Sequence, residues 1–207
     1  MPIKNIIFDF GDVLINLDKT FLTKQLKKIT TDPEVISVLD QLNKKYEVGA
    51  ISTSQFLDAL QNQLPELQQD QLVELWNGML LDFPIYRLDF LLKLRNSSSY
   101  RLFLLSNTNE LHIANVQSVM KSSYTVFKES FEGFYLSHEI HLRKPDAGVF
   151  EYVLDRHDLK PNETLFIDDT LENVTAAKQL GIYGWHLQVG KEDVIELERK
   201  IVELISH

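Results

Sequence analysis

Four short stretches carry side chains capable of chemistry, each where a strand or loop should end. The first is Ile6-Ile7-Phe8-Asp9-Phe10-Gly11-Asp12-Val13-Leu14. An apolar run from Ile3 to Phe8, broken by Lys4 and Asn5, has the character of a buried strand, and it ends on the carboxylate of Asp9. The second is Ser106-Asn107-Thr108-Asn109, which follows the apolar run Tyr100 to Leu105. The third is Arg143-Lys144-Pro145, where the proline disfavours helix at Lys144 and holds it extended. The fourth is the pair Asp168-Asp169, which closes the run Thr164 to Ile167. Each stretch alone reads as an ordinary polar turn, since Asp, Ser and Gly are common turn residues. In an open α/β sheet, however, the carboxyl ends of parallel strands share one edge, and ligands bind there. The four stretches can therefore converge.

The chemistry that suits them is phosphoryl transfer through a covalent aspartyl intermediate. Asp9 is the expected nucleophile, because carboxylates form aspartyl phosphates. A carboxylate attacking a phosphate dianion meets repulsion, so a cation is needed between them. Magnesium prefers oxygen ligands and usually keeps some waters and substrate oxygens. Asp9, a backbone carbonyl near Gly11, and one or both of Asp168 and Asp169 are expected to hold Mg²⁺. Without a cation, adjacent carboxylates repel and raise one another's pKa. The turn at Gly11 and Asp12, together with Ser106 and its neighbouring backbone N–H groups, is expected to hold the phosphate. Lys144 is expected to neutralise charge on the phosphate and on Asp9.

The elements that must position these groups follow from the hydrophobic pattern. Residues 18–83 contain no convincing strand. Asp18 is the expected cap of a helix through Phe21, Leu22, Leu26 and Ile29. Asp32-Pro33 starts a second helix, which Gly49 interrupts. Ser52-Thr53-Ser54-Gln55 has capping-box spacing and opens a third, through Phe56 and Leu60. Leu72, Leu75, Trp76, Met79 and Leu80 mark a fourth. Together they read as a small helical bundle. From Pro84 onward, a helix near Ile85–Leu92 is followed by strands at 100–105, 134–136, 164–167 and 185–189. Helices intervene at 146–156 and 171–180, and a last helix runs near 195–205. Alternating strands and helices imply an α/β fold, a Rossmann-like parallel sheet with helices on both faces. Residues 1–17 and 84–207 are the expected core domain, and residues 18–83 a cap inserted after the first strand.

Composition sets further bounds. The chain has 207 residues, net charge −9 and no cysteine. Disulfides, thiolate metal sites and cysteine catalysis are excluded. The acidic balance argues against nucleic acid as a partner. No apolar run is long enough to span a bilayer, and the N-terminus lacks a signal-peptide pattern. A cytoplasmic location and a monomer or weak homodimer are expected. The histidines at 112, 138, 141, 157, 186 and 207 show no metal-ligand spacing and read as helix-end, surface or core groups. Trp76, Tyr46 and Phe83 are candidates to line a substrate pocket, although helical spacing favours Trp76 as cap core. Arg143 is left open between pairing with an acidic residue and facing substrate.

The four motifs, in this order and at these strand ends, are similar to those of the haloacid dehalogenase superfamily. The inserted bundle resembles that superfamily's small cap. Ser106-Asn107-Thr108-Asn109-Glu110-Leu111-His112, Tyr135-Leu136-Ser137-His138-Glu139 and Arg143-Lys144-Pro145-Asp146 look closest to phosphatases of the α-D-glucose-1-phosphate type. The turn Glu47-Val48-Gly49-Ala50-Ile51-Ser52 also resembles one in their caps, with Val48 where arginine is common. By this resemblance Asp9 is the nucleophile, and Ser106, Asn107 and Lys144 bind phosphate. Asp169 is then the direct metal ligand, Asp168 its neighbour, and Asn173 a supporting group. The implied activity is Mg²⁺-dependent hydrolysis of a small phosphorylated metabolite, such as a sugar phosphate. A catalytically silent phosphate-metabolite binding module and a phosphomutase of the same superfamily remain as alternatives. One departure stands out. Many phosphatases of the superfamily carry a second Asp two residues after the nucleophile, as general acid and base. Gly11 stands there in this chain, and the carboxylate falls one residue later, at Asp12.

Overall fold

The computed structural model describes residues 3–206. Met1, Pro2 and His207 lie outside the described residues, and with them the reading of His207 and of the first two N-terminal residues. Among the described residues, five parallel strands form one sheet in the order β3-β2-β1-β4-β5. They are β1 (Asn5–Phe8), β2 (Arg101–Ser106), β3 (Gly133–Leu136), β4 (Thr164–Asp168) and β5 (Tyr183–His186). β1 is central, pairing Phe8 with Leu104 on one side and with Ile167 on the other. Its side chains alternate between two apolar layers, with Ile6 and Phe8 in one and Ile7 in the other. Both faces are covered, which is why the strands read as nearly continuous apolar runs.

The Phe8 face packs against α5 (Ile85–Ser97), α6 (Glu110–Met120), α7 (Ser122–Lys128) and α11 (Leu197–Ile205). The Ile7 face packs against α9 (Ala147–Arg156) and α10 (Leu171–Gln179). A one-turn helix α8 (Ser137–Ile140) follows β3 directly. A third apolar cluster belongs to α1 (Phe21–Ile29), α2 (Pro33–Glu47), α3 (Thr53–Gln63) and α4 (Gln69–Asn77), with Leu111 of α6 packed against it. Asp32 caps α2 by accepting from the Glu34 N–H, and Ser52 with Gln55 closes the capping box of α3. The chain enters and leaves this helical group through a short antiparallel ribbon, with Leu17 opposite Leu80 and the Asp18 N–H donating to the Met79 carbonyl.

Several expectations change at their edges. Asp18 does not cap α1. The helix begins at Phe21, and Asp18 accepts from the Thr20 N–H in a local Asx turn. The last strand ends at His186 rather than Val189. Beyond it the Gln188 N–H turns to the Glu192 carboxylate, which also accepts from the indole N–H of Trp185 within the strand. α6 and α7 were not anticipated. The apolar face of α6, Ile113, Val116 and Met120, does follow helical spacing, and positive φ at Lys121 separates it from α7. Among the described residues, no helix is long and apolar enough to cross a membrane.

Candidate active site

The four sequence stretches meet at the carboxyl edge of the sheet. Asp9 follows the last residue of β1, and its N–H donates to the Ile167 carbonyl of β4. Ser106 and Asp168 are the final residues of β2 and β4, and Asp169 comes next in the chain. Lys144 reaches the same point from the loop before α9, and is 1% exposed. Its ammonium donates to Asp9 Oδ1 at 2.6 Å and to Asp168 Oδ2 at 2.7 Å. Parallel pairing of β1 with β4 brings Asp9 beside Asp168. The loop that carries Lys144 is pinned from the other side. Asn107 accepts from the Lys144 N–H at 2.9 Å and donates to the Lys144 carbonyl at 2.8 Å.

The carboxylates differ in how far they are already engaged. Asp168 is fully buried. Its Oδ1 accepts from the Thr170 N–H at 2.7 Å, and its Oδ2 accepts from Asn173 at 3.0 Å as well as from Lys144. Asp169 is contacted by the Lys19 ammonium, which also lies 3.4 Å from Asp12 Oδ2. One oxygen each of Asp9, Asp168 and Asp169 lies within 4.8 Å of the others. Burial pushes the Asp9 carboxyl up to about 7; Lys144 opposes that shift and the charge of Asp168 adds to it. Burial works against the Lys144 charge too, but Asp168 and Asp9 outweigh it and hold the ammonium above its ordinary pKa. This is an all-oxygen cluster with excess negative charge, and it fits a hard divalent cation.

Two expected phosphate contacts take different forms. The Asn107 side chain holds the Lys144 backbone at both its N–H and its carbonyl, which uses Oδ1 and one of the two Nδ2 hydrogens. The Asp12 N–H donates to the Ile15 carbonyl at 2.7 Å, and Asp12 Oδ1 accepts from the Leu17 N–H at 2.9 Å. Asp12 is therefore a turn-building residue, with φ of 56° in the left-handed region that Asp tolerates better than most residues. At Gly11 a Cβ would meet Leu17 Cδ1 at 2.7 Å and Asp9 Oδ2 at 3.9 Å. Leu17 thus fills the space into which an acid at that position would project.

A cavity of about 160 Å³ lies over this edge, between the sheet and the helical group. Gly11, Ser106 and Asn107 form its floor, Leu17, Leu22 and Met79 an apolar wall, and Asn43, Glu47 and Trp76 reach it from α2 and α4. Trp76 belongs both to this wall and to the helical group's own core, where it packs edge-on to Phe56. Tyr46 lies in that core, and Phe83 packs against Phe127 in the main one. A larger open depression of about 660 Å³ sits at the opposite, amino end of the strands. Its Lys4 and Arg101 are paired with Glu163 and Glu132, and no residue of the four converging stretches lines it, whereas Gly11, Ser106 and Asn107 line the smaller cavity.

Sequence reasoning passed over Lys19 and most of the contacts that seat the helical group; of the two readings left open for Arg143, the structure takes the pairing with an acidic residue. Arg143 pairs with Glu47 at 3.0 Å, and His141 Nδ1 meets the Val48 carbonyl at 2.8 Å. The Tyr46 hydroxyl accepts from the Leu111 N–H at 3.1 Å, at the start of α6. His112 Nε2 meets the Trp76 carbonyl at 3.1 Å, and burial lowers that histidine to about 4, so it is neutral near pH 7.

Residues 3–181 match the family model of the haloacid dehalogenase-like hydrolases, and the chain belongs to that family. Among characterised relatives, the D-ribitol-5-phosphate phosphatase of Bacteroides thetaiotaomicron is 30% identical over 186 residues, which cover 86% of this chain and 89% of that one. A sesquiterpene phosphatase of Aspergillus oryzae is 39% identical over 71 residues, 34% of this chain and 36% of its own. Among solved structures, a haloacid dehalogenase family enzyme of B. thetaiotaomicron, in complex with magnesium and inorganic phosphate, superposes with a TM-score of 0.80 at 34% identity. That alignment covers 92% of this chain and 96% of the other.

Proposed function

We propose that this hydrolase is a magnesium-dependent phosphatase of small phosphorylated metabolites, with Asp9 as its nucleophile. The observation that carries the reading is the buried Asp9–Lys144–Asp168 linkage, with Asp169 alongside and a cavity lined by the neighbouring Gly11, Ser106 and Asn107. Lys144 takes Asp9 Oδ1, which leaves Oδ2 on the side of Gly11, a cavity-lining residue. Asp9 and Asp169, with the backbone near Gly11, would hold Mg²⁺. Asp168 keeps its oxygens on Lys144, Asn173 and the Thr170 N–H, and serves to fix Lys144. When bound, the metal supplies positive charge that offsets the repulsion between Asp9 and a phosphate dianion. Ser106, with the backbone of its loop, donates to the phosphate oxygens. Asp9 attacks phosphorus, the alkoxide leaves, and water then releases phosphate from the aspartyl phosphate.

The size of the cavity supports a compact leaving group. A cavity of about 150 Å³ is large enough for benzene. The space here, about 160 Å³, matches that scale and is short of a fifteen-carbon chain. A sugar or polyol phosphate fits this reading. The ribitol-phosphate phosphatase and the resemblance to α-D-glucose-1-phosphate phosphatases point the same way. They differ in the leaving group, a primary alcohol in one and an anomeric oxygen in the other. Gly11 and the Leu17 side chain beside it leave no acid at the usual place, which favours the anomeric or another weakly basic leaving oxygen. Residues 18–83 act in this proposal as a cap hinged at the Leu17–Leu80 ribbon, excluding water when seated.

The test is phosphate release from a panel of sugar, polyol, nucleotide and aryl phosphates. Activity is expected with Mg²⁺, to be lost with excess chelator, and to return poorly with Ca²⁺, whose larger and looser shell misplaces the phosphate. Full turnover in excess chelator would refute the metal reading. Binding of phosphate esters without turnover of any would instead favour a silent binding module.

A further inference from the structure

Lys19 has no role in the mechanism above, yet its ammonium lies against the carboxylate assigned to the metal. It contacts Asp169 and lies 3.4 Å from Asp12 Oδ2. Four carboxylates crowd this end of the sheet, from Asp9, Asp12, Asp168 and Asp169, and two ammoniums answer them, Lys144 and Lys19. With every carboxylate ionised the formal charge of that set is −2, which is the deficit one divalent cation removes. The two lysines are not equivalent. Lys144 is 1% exposed and fixed between two carboxylates, so it stays when a metal arrives. The Lys19 side chain is 47% exposed, on a flexible four-carbon stem, so it can leave. Asp169 is also the member of the carboxylate trio that neither Lys144 nor Asn173 engages. Lys19 therefore occupies the metal-assigned carboxylate that Lys144 leaves free.

Its place in the chain matters equally. Lys19 follows Asp18, whose N–H donates to the Met79 carbonyl in the ribbon that joins the helical group to the sheet. The contact with Asp169 ties the root of that group to the end of β4. We propose that Lys19 is a built-in competitor of the catalytic metal, neutralising Asp169 in the metal-free protein and being displaced when Mg²⁺ binds, so that metal loading also unties the ribbon from the sheet edge. The idea rests on the assignment of Mg²⁺ to Asp9 and Asp169.

The experiment is a calorimetric Mg²⁺ titration, without substrate, of the full chain and of Lys19→Met, Lys19→Gln and Lys19→Arg. Removing a cation in contact with a ligand carboxylate should tighten Mg²⁺ binding roughly tenfold, the effect being limited by the exposure of Lys19 to solvent. Both neutral variants should show it, and Lys19→Arg should stay near the parent. Lys19 is half exposed, so its loss leaves no buried void, and either neutral variant suffices should the other fail to fold. Hydrogen exchange supplies a second readout. Amides around residues 17–29 should exchange slowly in chelator and faster with Mg²⁺ in the parent, but at the faster rate in both conditions in Lys19→Met. Equal or weaker Mg²⁺ affinity in the neutral variants would overturn the competition while leaving the metal site standing. Absence of Mg²⁺ binding in every protein, parent included, would instead overturn the metal assignment on which it rests.

Discussion

Lys144→Met is the most informative single perturbation of this site. Methionine keeps much of the stem's volume and removes the ammonium. The parent ammonium is 1% exposed and lies within 2.7 Å of two carboxylates. Removing one partner of a buried ion pair costs about 3–5 kcal/mol, because the remaining charge is stranded. With total stability in the range of about 5–15 kcal/mol, the variant should fold but be strongly weakened. A domain of this size loses about 2–4 °C in Tm per kcal/mol, so a fall of roughly 6–20 °C is expected. The cost should depend on pH. Burial already raises Asp9 to about 7, so between pH 4 and 7 the folded chain holds a proton that the unfolded chain releases. The contribution of Asp9 to stability therefore falls as pH rises through that window. Without Lys144, which pulls the Asp9 pKa down, the fall continues above pH 7. The variant's deficit should thus be largest near pH 8 and smaller at pH 5.5, by roughly 1–2 kcal/mol, or about one pKa unit or a little more at 1.36 kcal/mol each. Urea unfolding of both proteins in chelator at the two pH values measures it. A deficit under about 1 kcal/mol at pH 8, or the same deficit at both pH values, would refute the electrostatic account of this cluster.

Three further outcomes are expected. Asp9→Asn keeps the size of the side chain and removes the nucleophile, so turnover should drop by several orders of magnitude with the Tm unchanged or raised; near-normal turnover in the purified variant would rule out the covalent route. Gly49→Ala should weaken the seating of the helical group and raise KM, because φ is +64° there and a Cβ would come within 2.3 Å of the His138 carbonyl; an unchanged KM and Tm would show the turn to be slack. Rates across a series of aryl phosphates should fall steeply as the leaving oxygen becomes more basic, since an acid worth about 10²–10⁴-fold is missing at Gly11. Asp12→Asn should leave that slope unchanged, because Asp12 is spent on the Leu17 N–H; a steeper slope in the variant would identify Asp12 as the acid after all.

The chemistry-bearing residues were legible because their types are rare at the ends of apolar runs. Asp9, Ser106 and Asp168 each close a stretch whose neighbours are almost all apolar, and a short, nearly continuous apolar run leaves a strand buried on both faces as the natural reading. The parallel sheet followed from strands alternating with helices, and the starts of α2 and α3 from Asp32-Pro33 and the Ser52 capping box. These signals are local, fixed by a few residues of backbone preference. What each side chain does at the edge was not local. Asn107 and Asp12 had the chemistry of phosphate contacts; the fold engages Asn107 with the Lys144 backbone 37 residues away, while Asp12 turns to its near neighbours Ile15 and Leu17. The inequality of Asp168 and Asp169 arises because β4 turns its last side chain toward Lys144, while the next residue faces the ribbon that carries Lys19. Glu47 and Arg143 stand 96 residues apart, and nothing in either neighbourhood names the other. Hydrogen-bond capacity is finite, and the partner that claims it is chosen by proximity in space. Sequence therefore specified which groups are available, and tertiary structure decided which of them remain free to act.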